Sequence, residues 1–353
     1  MATTMKAVVT TGDGSVALGT VPRPHPSPTQ VLVRILAAAQ NPPDHMKIGY
    51  TLKGVVIGHD FAGCVEAIGS AVPAGLRFVG ERVAGFINWG ADDETGGSFA
   101  EYCVADAHIL VSLPDSLSFE DAAGLGLAAF TAAQALWISQ PGLPTPSAPA
   151  PTPFPILIWA GASAVGQYTI QLAHLSGLHV ITTASPHNHA LLRALGASEV
   201  LDYRDPAVSG TIRALTNNTL AHAVDCISDA TTTRQVVDSL GAVGGAISQV
   251  LNEPVVNTTG PGLVRAQFSL VYTLLGKAFE HPMRPYAADP AHYAFGKATA
   301  VMLTDLLRQG KLKTTPVKLV PNGLEDVAIW LEYMKQGKVS GEKITYRVAE
   351  DIL

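Results

Sequence analysis

Cysteine is scarce: the 353 residues hold three, Cys64, Cys103 and Cys226. An odd number so widely spaced makes neither a disulfide framework nor a zinc-knuckle pattern, and a reducing, cytoplasmic setting is expected. Charge is thin as well. Lys, Arg, Asp and Glu together make up 15% of the chain and leave a net charge of −6, which argues against a nucleic-acid backbone as partner. The opening MATTMKAVVT has no basic segment followed by an apolar core, so no secretory signal is expected. Only AAGLGLAAFTAAQALWI, residues 122–138, approaches membrane length. It is mostly Ala and Gly and is interrupted by Thr131 and Gln134, which fits a buried helix better than a membrane span. What the chain has in quantity is apolar residues, 47% of the total, enough for two well-filled α/β domains.

The first third alternates short β-like runs with Gly and Pro turns: KAVVTT, QVLVRILAAA, GCVEAIG, ERVAGFI and FAEYCVA. That rhythm predicts a small β-rich domain over residues 1–125. PGLPTPSAPAPTPFP, residues 141–155, has prolines too dense for helix or sheet pairing and reads as an extended surface loop. From residue 154 strands and helices alternate strictly: FPILIWA, SAVGQYTIQLAHLSG, LHVITTA, HNHALLRALG, SEVLDYR, HAVDCIS and GGAISQV. Such alternation calls for a doubly wound parallel sheet with helices on both faces, here over 126–289. The tail from 290 holds KATAVMLTDLLRQG and LEDVAIWLEYMKQG as helices, with TPVKLV and KITYRV as strands.

AGASAVGQ, between the first strand and helix of that series, places Gly161, Ser163 and Gly166 at dinucleotide-fingerprint positions. Gly161 serves the tight turn, a small residue at 163 lets the backbone approach a pyrophosphate, and Gly166 lets helix pack on strand. The amides of the helix start, from Ser163 through Ala164 and Val165 to Gly166, then receive phosphate. The second strand ends in TTASPHN, without the acid that would bind the ribose hydroxyls of NAD and repel a 2′-phosphate. Ser185, His187 and Asn188, around Pro186, offer a hydroxyl, an imidazole and an amide, which favours NADPH. The same residues also make a sound helix cap, with Pro186 in its first turn. Tyr203, read as closing the third strand, is a candidate neighbour of the adenine or else a core tyrosine.

At full length the chain resembles the medium-chain dehydrogenase/reductase superfamily, a GroES-like β-rich catalytic domain combined with a Rossmann domain. AAAQNPPD, IGHDFAGCVEAIGS, VGERVAGF, GGSFAEYCVA, TASPHNHALLRALGASEVLDYR and VSGEK resemble the trans-acting enoyl reductases of fungal polyketide biosynthesis, the lovastatin type. The resemblance implies cofactor contacts at Pro43, Asp44, His45 and Met46, at Ser163 to Gly166, at Ser185 to Asn188, at Tyr203, at Val250 and Leu251, and at Ser340 and Gly341. It implies substrate contacts on the helix Ala132, Ala133, Gln134, Ala135, Leu136, Trp137, Ile138 and Ser139, and on Leu274, Leu275, Gly276, Lys277 and Ala278. Thr131 matches a threonine at the reactive end of the pocket. The two apolar segments otherwise read as core.

One position departs from the resemblance. Relatives read NPxDxK, and here Met46 takes the lysine's place while the lysine moves to Lys47. On an extended strand a one-residue shift turns the side chain to the other face, whereas irregular backbone brings it round. Zinc is not expected. His59 in GHDFAG stands without a cysteine in NPPDH or in the lobe around GADDETGGS, so it reads as a structural or pocket-wall histidine. The implied activity is NADPH-dependent reduction of an enoyl thioester carried by a polyketide synthase, by a protein that works as a monomer. A free-standing quinone or enone reductase and a non-catalytic NADPH-binding subunit of the synthase are the alternatives. VYTLLGKAF reads as either a strand edge for pairing or a pocket wall.

Overall fold

The computed structural model describes residues 3–90, 96–252 and 262–350. The chain forms two compact units, Met1–Leu127 with Tyr272–Leu353, and Ala128–Val271. The first boundary lies beside the expected 125. The return to the first unit begins at Tyr272, whose ring stacks on His59 and whose hydroxyl bonds it; the sequence suggests about 290.

The first unit begins with β1 (Thr4–Thr10) and β2 (Val16–Pro22), an antiparallel pair, followed by β3 (Gln30–Ala39). Every side chain of β3 but Arg34 is buried, as in a strand covered on both faces. After it, Asn41-Pro42-Pro43 starts a short helix, α1 (Pro42–Met46), in place of an extended segment. Proline suits the first helical turn, where its missing N–H costs nothing. Asp44 then accepts from the Asn41 amide at 2.7 Å, and Lys47 follows as the C-terminal cap. The unit continues with β4 (Asp60–Ile68), β5 (Arg82–Phe86), β6 (Tyr102–Asp106) and β7 (Leu110–Ser112). β4 pairs with β3 through two register shifts, which add local twist.

The apolar stretch 122–138 divides into α2 (Phe119–Ala122) and α3 (Gly126–Trp137). Gly126 lies against the backbone of Gly85, and a β-carbon there would stand 2.7 Å from the Asp60 carboxylate. Among the described residues no helix is long and apolar enough to cross a membrane.

In the second unit, segment 141–155 forms only an isolated bridge, Thr145 to Ala148, before β8 (Pro155–Trp159) begins. β9 (His179–Thr183), β10 (Glu199–Leu201), β11 (His222–Asp225), β12 (Gly244–Gln249) and β13 (Leu263–Phe268) complete a parallel sheet. Its order is β10-β9-β8-β11-β12-β13, the arrangement of a doubly wound dinucleotide-binding unit. Helices α4 (Ala164–Leu175), α5 (His189–Ala194), α6 (Val208–Leu215) and α7 (Ala230–Ser239) connect the strands. Two expectations change. SEVLDYR shrinks to three paired residues and leaves Tyr203 in the turn beyond. The exposed outermost strand is β13, whereas VYTLLGKAF begins with a 3-10 turn, Val271–Leu275.

On its return to the first unit the chain forms α8 (Pro290–Arg308), β14 (Val317–Val320), α9 (Val327–Lys335) and β15 (Lys343–Arg347). α8 starts earlier than expected because Asp289 caps it, accepting from Ala291 and His292 amides at 2.9 and 3.1 Å. β15 pairs with the end of β3, so the tail completes the sheet. Phe61, Trp89, Phe99 and Tyr346 lie fully inside that core.

Candidate functional site

Because the second unit's strands are parallel, the residues following β8, β9, β10 and β12 lie at one edge of the sheet. That edge is where open α/β sheets bind ligands. The chain leaves β8 through Ala160, whose φ of 59° is unusual for a residue with a side chain. A β-carbon on Gly161 would collide with Thr182 Oγ1, and one on Gly166 would lie 2.6 Å from the Ala160 oxygen. Ser163 is the cap of α4: its hydroxyl accepts from the Gly166 amide at 3.0 Å and donates to the Ala160 carbonyl at 2.9 Å. The amides of Ala164 and Val165, one turn from any intrahelical acceptor, point out of the helix start. This is a ready place for an anionic pyrophosphate.

After β9, Ser185 stands at the cap position of a 3-10 turn, Pro186–Asn188, but its side chain makes no capping hydrogen bond. Ser185 is half-buried and His187 exposed, whereas Asn188 is 7% exposed and turned inward. The hydroxyl, imidazole and amide of the expected trio thus differ in exposure. No acid occurs between Thr182 and Asn188. Tyr203 is 41% exposed, beside a paired Asp202 and Arg204 whose two contacts are both 2.9 Å. Val250 follows β12 with its amide donating to Ser228 Oγ at 3.0 Å, and Leu251 is exposed. Ser340 and Gly341 belong to the first unit, on the turn before β15, where Gly341 has a φ of 72°.

The first unit contains a polar cluster sealed in its core. His59 is fully buried; its Nδ1 lies 2.5 Å from Asp44 Oδ1 and its Nε2 2.8 Å from the Tyr272 hydroxyl. Trp89 Nε1 also donates to Asp44 Oδ1, at 3.1 Å. Burial holds His59 below its ordinary pKa despite Asp44. A neutral ring has one N–H and one lone pair, matching a carboxylate on one side and a hydroxyl on the other.

Lys47 adjoins this cluster. Being three residues beyond Asp44 on helical backbone, it falls on the same face. Its Nζ donates to Asn88 Oδ1 at 3.0 Å and to the Trp89 carbonyl at 2.6 Å. It also lies 4.8 Å from the centre of the Trp89 ring and 5.3 Å from that of Tyr272. Burial lowers its pKa to about 8, with Asp44 opposing the shift. A groove of about 1260 Å³ in this unit is lined by Lys47, Asn88 and Tyr272.

The other expected residues separate. The Asp44 carboxylate is bonded to the Asn41 amide, His59 and Trp89 in the buried cluster. Pro43 and His45 are half-buried, and Met46 is exposed. On α3, Thr131 to Leu136 are buried, and Gln134 donates to the Leu270 carbonyl at 3.2 Å. Ser139 shares a hydrogen bond with Ser269, and Trp137 donates to the Pro144 carbonyl. Leu274 is likewise buried, Gly276 has a φ of 69°, and Leu275, Lys277 and Ala278 line a small cavity of about 50 Å³ with Tyr272. Asn88, Trp89 and Tyr272 were not singled out from sequence. Tyr272 sits in an apolar run, and nothing local marks its hydroxyl as a partner for a histidine 213 positions away.

Two families match parts of the chain: the alcohol dehydrogenase GroES-like domain over residues 27–115 and the zinc-binding dehydrogenase family over 164–263. The trans-enoyl reductase caaB of Aspergillus niger is 36% identical over 97% of this chain and 96% of its own length. The trans-enoyl reductase ACTTS2 of Alternaria alternata is 36% identical over 98% of this chain and 99% of its own. Among solved structures, mycobacterial Rv1454c complexed with NADPH is 25% identical with a TM-score of 0.74, covering 97% of this chain and 99% of that one. The fold and the glycine turn define a nicotinamide-dependent oxidoreductase of the medium-chain dehydrogenase/reductase superfamily. Within it, the chain belongs to the trans-enoyl reductases.

The zinc in one family's description does not fit these residues. Both nitrogens of His59 have protein partners, and burial pushes the Cys103 thiol far from the thiolate a metal needs. Among the described residues no group of three or more His, Cys, Asp or Glu could hold a metal ion. The acidic part of the GADDETGGS lobe, 91–95, lies outside the described residues.

Proposed function

We propose that this trans-enoyl reductase reduces the α,β-double bond of a polyketide thioester presented by the acyl carrier protein of a synthase, with NADPH as reductant. The observation that carries this reading is Lys47, an ammonium at the wall of a groove with two of its three hydrogens committed to Asn88 and Trp89. Among the described residues no acceptor takes the third, which would meet a thioester oxygen as it gains negative charge, and a donor already in place costs no reorganisation at that moment. Thr131, the hydroxyl suggested by resemblance, lies on α3 and remains a second candidate donor on this reading. The groove's volume, about 1260 Å³, exceeds the roughly 300–1,000 Å³ typical of small-ligand pockets and suits an acyl chain on a carrier arm better than a small quinone.

Bound NADPH supplies the hydride. The glycine turn and the amides of Ala164 and Val165 would hold its pyrophosphate, and Ser185 with His187 would hold the 2′-phosphate. Tyr203 would cover the adenine, while Val250, Leu251, Ser340 and Gly341 remain further contacts on this reading. The protein would act as a monomer beside its synthase.

The test mixes purified protein, NADPH and a carrier-bound enoyl thioester, with and without the synthase, and follows absorbance and product mass. Oxidation of NADPH with a gain of two hydrogens in the product supports the reading. Unreduced product in both mixtures rejects it. Faster turnover of simple quinones would favour a free-standing reductase, and NADPH binding without turnover would favour a silent subunit.

A further inference from the structure

His59 has no role in the reduction as described above, yet the chain spends a fully buried histidine and aspartate and a largely buried tyrosine on one hydrogen-bonded line. Burying three polar side chains is costly unless each is satisfied, so the line marks a position that must be held. Its ends come from distant parts of the sequence: Asp44 from α1, His59 from the turn before β4, and Tyr272 from the returning segment. The rings of His59 and Tyr272 are stacked, with centroids 5.4 Å apart and planes inclined by 19°. Trp89 Nε1 donates to the same Asp44 oxygen at 3.1 Å and lies 3.1 Å from His59 Nδ1, whose own hydrogen goes to Asp44.

The Tyr272 ring thereby reaches the groove. It lies 5.3 Å from Lys47 Nζ and lines the same wall. An aromatic face favours the ammonium while keeping water from it.

We propose that His59 is a positioning residue: held by Asp44, it fixes the Tyr272 ring as the wall that keeps the Lys47 ammonium dry and turned toward the groove. The assignment of Lys47 to the reduction is the reading it rests on. Tyr272 donates its hydroxyl hydrogen to His59 Nε2, and His59 Nδ1–H is donated to Asp44, so one tautomer satisfies both ends. The titratable groups around Lys47 are Asp44 from its own helix, His59, Tyr272 and, from the same returning segment, His281.

The test is independent of turnover. Full-length protein carrying 13Cε-labelled lysine is titrated by NMR, with the Lys47 signal assigned by its loss in Lys47→Met. The wild-type midpoint is expected near 8. Tyr272→Phe removes one oxygen and His59→Gln removes the clamp. In both, the freed ring admits water, and the Lys47 midpoint is expected to rise by about one unit toward the ordinary lysine value. The alkaline limit of turnover should move with it. A wild-type midpoint already at the ordinary value, or an unmoved midpoint in Tyr272→Phe, overturns the proposal. Should His59→Gln fail to fold by circular dichroism, Tyr272→Phe decides alone. Wild-type turnover in Lys47→Met would remove Lys47 from the reduction and leave the clamp to be judged by the midpoint.

Discussion

Lys343 Nζ lies 3.1 Å from Asp60 Oδ2 inside the first unit, with the two side chains 5% and 0% exposed. Asn41 joins both, accepting from Lys343 at 2.5 Å and donating to Asp60 at 2.9 Å, while Asp60 Oδ1 receives the Leu127 amide at 2.6 Å. The pair links the last strand of the chain to the start of α1, and hence to Lys47 three residues past Asp44. Removing one partner strands a buried charge. Lys343→Met is therefore expected to lose about 3–5 kcal/mol of stability, read from the midpoint of chemical unfolding. A loss below about 1 kcal/mol would mean that the pair is solvated.

On the proposed role of Lys47, the reaction should have an alkaline limit. Its folded pKa, about 8, is below that of a lysine in the unfolded chain, about 10.4. The ammonium is present below 8, and turnover should fall as pH rises through 8. Stability moves the other way: between the two values the unfolded chain binds more protons, so the fold gains stability as pH rises. Lys47→Met should slow turnover by tenfold or more, on the order of one lost donor to the developing oxyanion, and remove the limit at 8. Parallel pH curves for kcat and for unfolding would contradict the assignment.

Cofactor choice should turn on Ser185. Ser185→Asp puts a carboxylate at the end of β9, where it can bind ribose hydroxyls and repels a 2′-phosphate. NADPH affinity, measured by fluorescence, is expected to fall at least about tenfold while that for NADH holds or improves. An unchanged ratio of the two affinities would remove Ser185 from the phosphate site.

The glycine turn is tested at Gly166. A β-carbon there would stand 2.6 Å from the Ala160 oxygen and 2.7 Å from Gly161 Cα, both backbone atoms that do not give way easily. Gly166→Ala is expected to cost roughly 1–3 kcal/mol and to weaken NADPH binding. Full stability with normal binding would show that the turn has room the distances deny.

The doubly wound sheet was legible because its signals are local: apolar strands, a glycine turn and helices in regular alternation, each set by neighbours in sequence. The β-rich unit was legible from period-two runs and turn residues. Boundaries are least legible where tertiary contacts decide them, as at Tyr272, whose ring and hydroxyl pack on His59 and Lys47. Lys47 was left open because sequence could not say whether NPPDHMK is strand or helix, and the two predict opposite faces. The differing exposure of Ser185, His187 and Asn188 was not legible either, since the turn sets it. The Asp44–His59–Tyr272 line had no sequence signature at all, since a histidine's partner is a matter of space, not spacing.

The central claim is that this chain moves a hydride from the nicotinamide ring to the β-carbon of a carrier-bound enoyl thioester. Mass spectrometry of product formed with NADPH deuterated at the transferring position tests it most directly. The account predicts one deuterium per reduced double bond, located on the β-carbon. Product that is reduced but carries no deuterium, or carries it on the α-carbon, would contradict it.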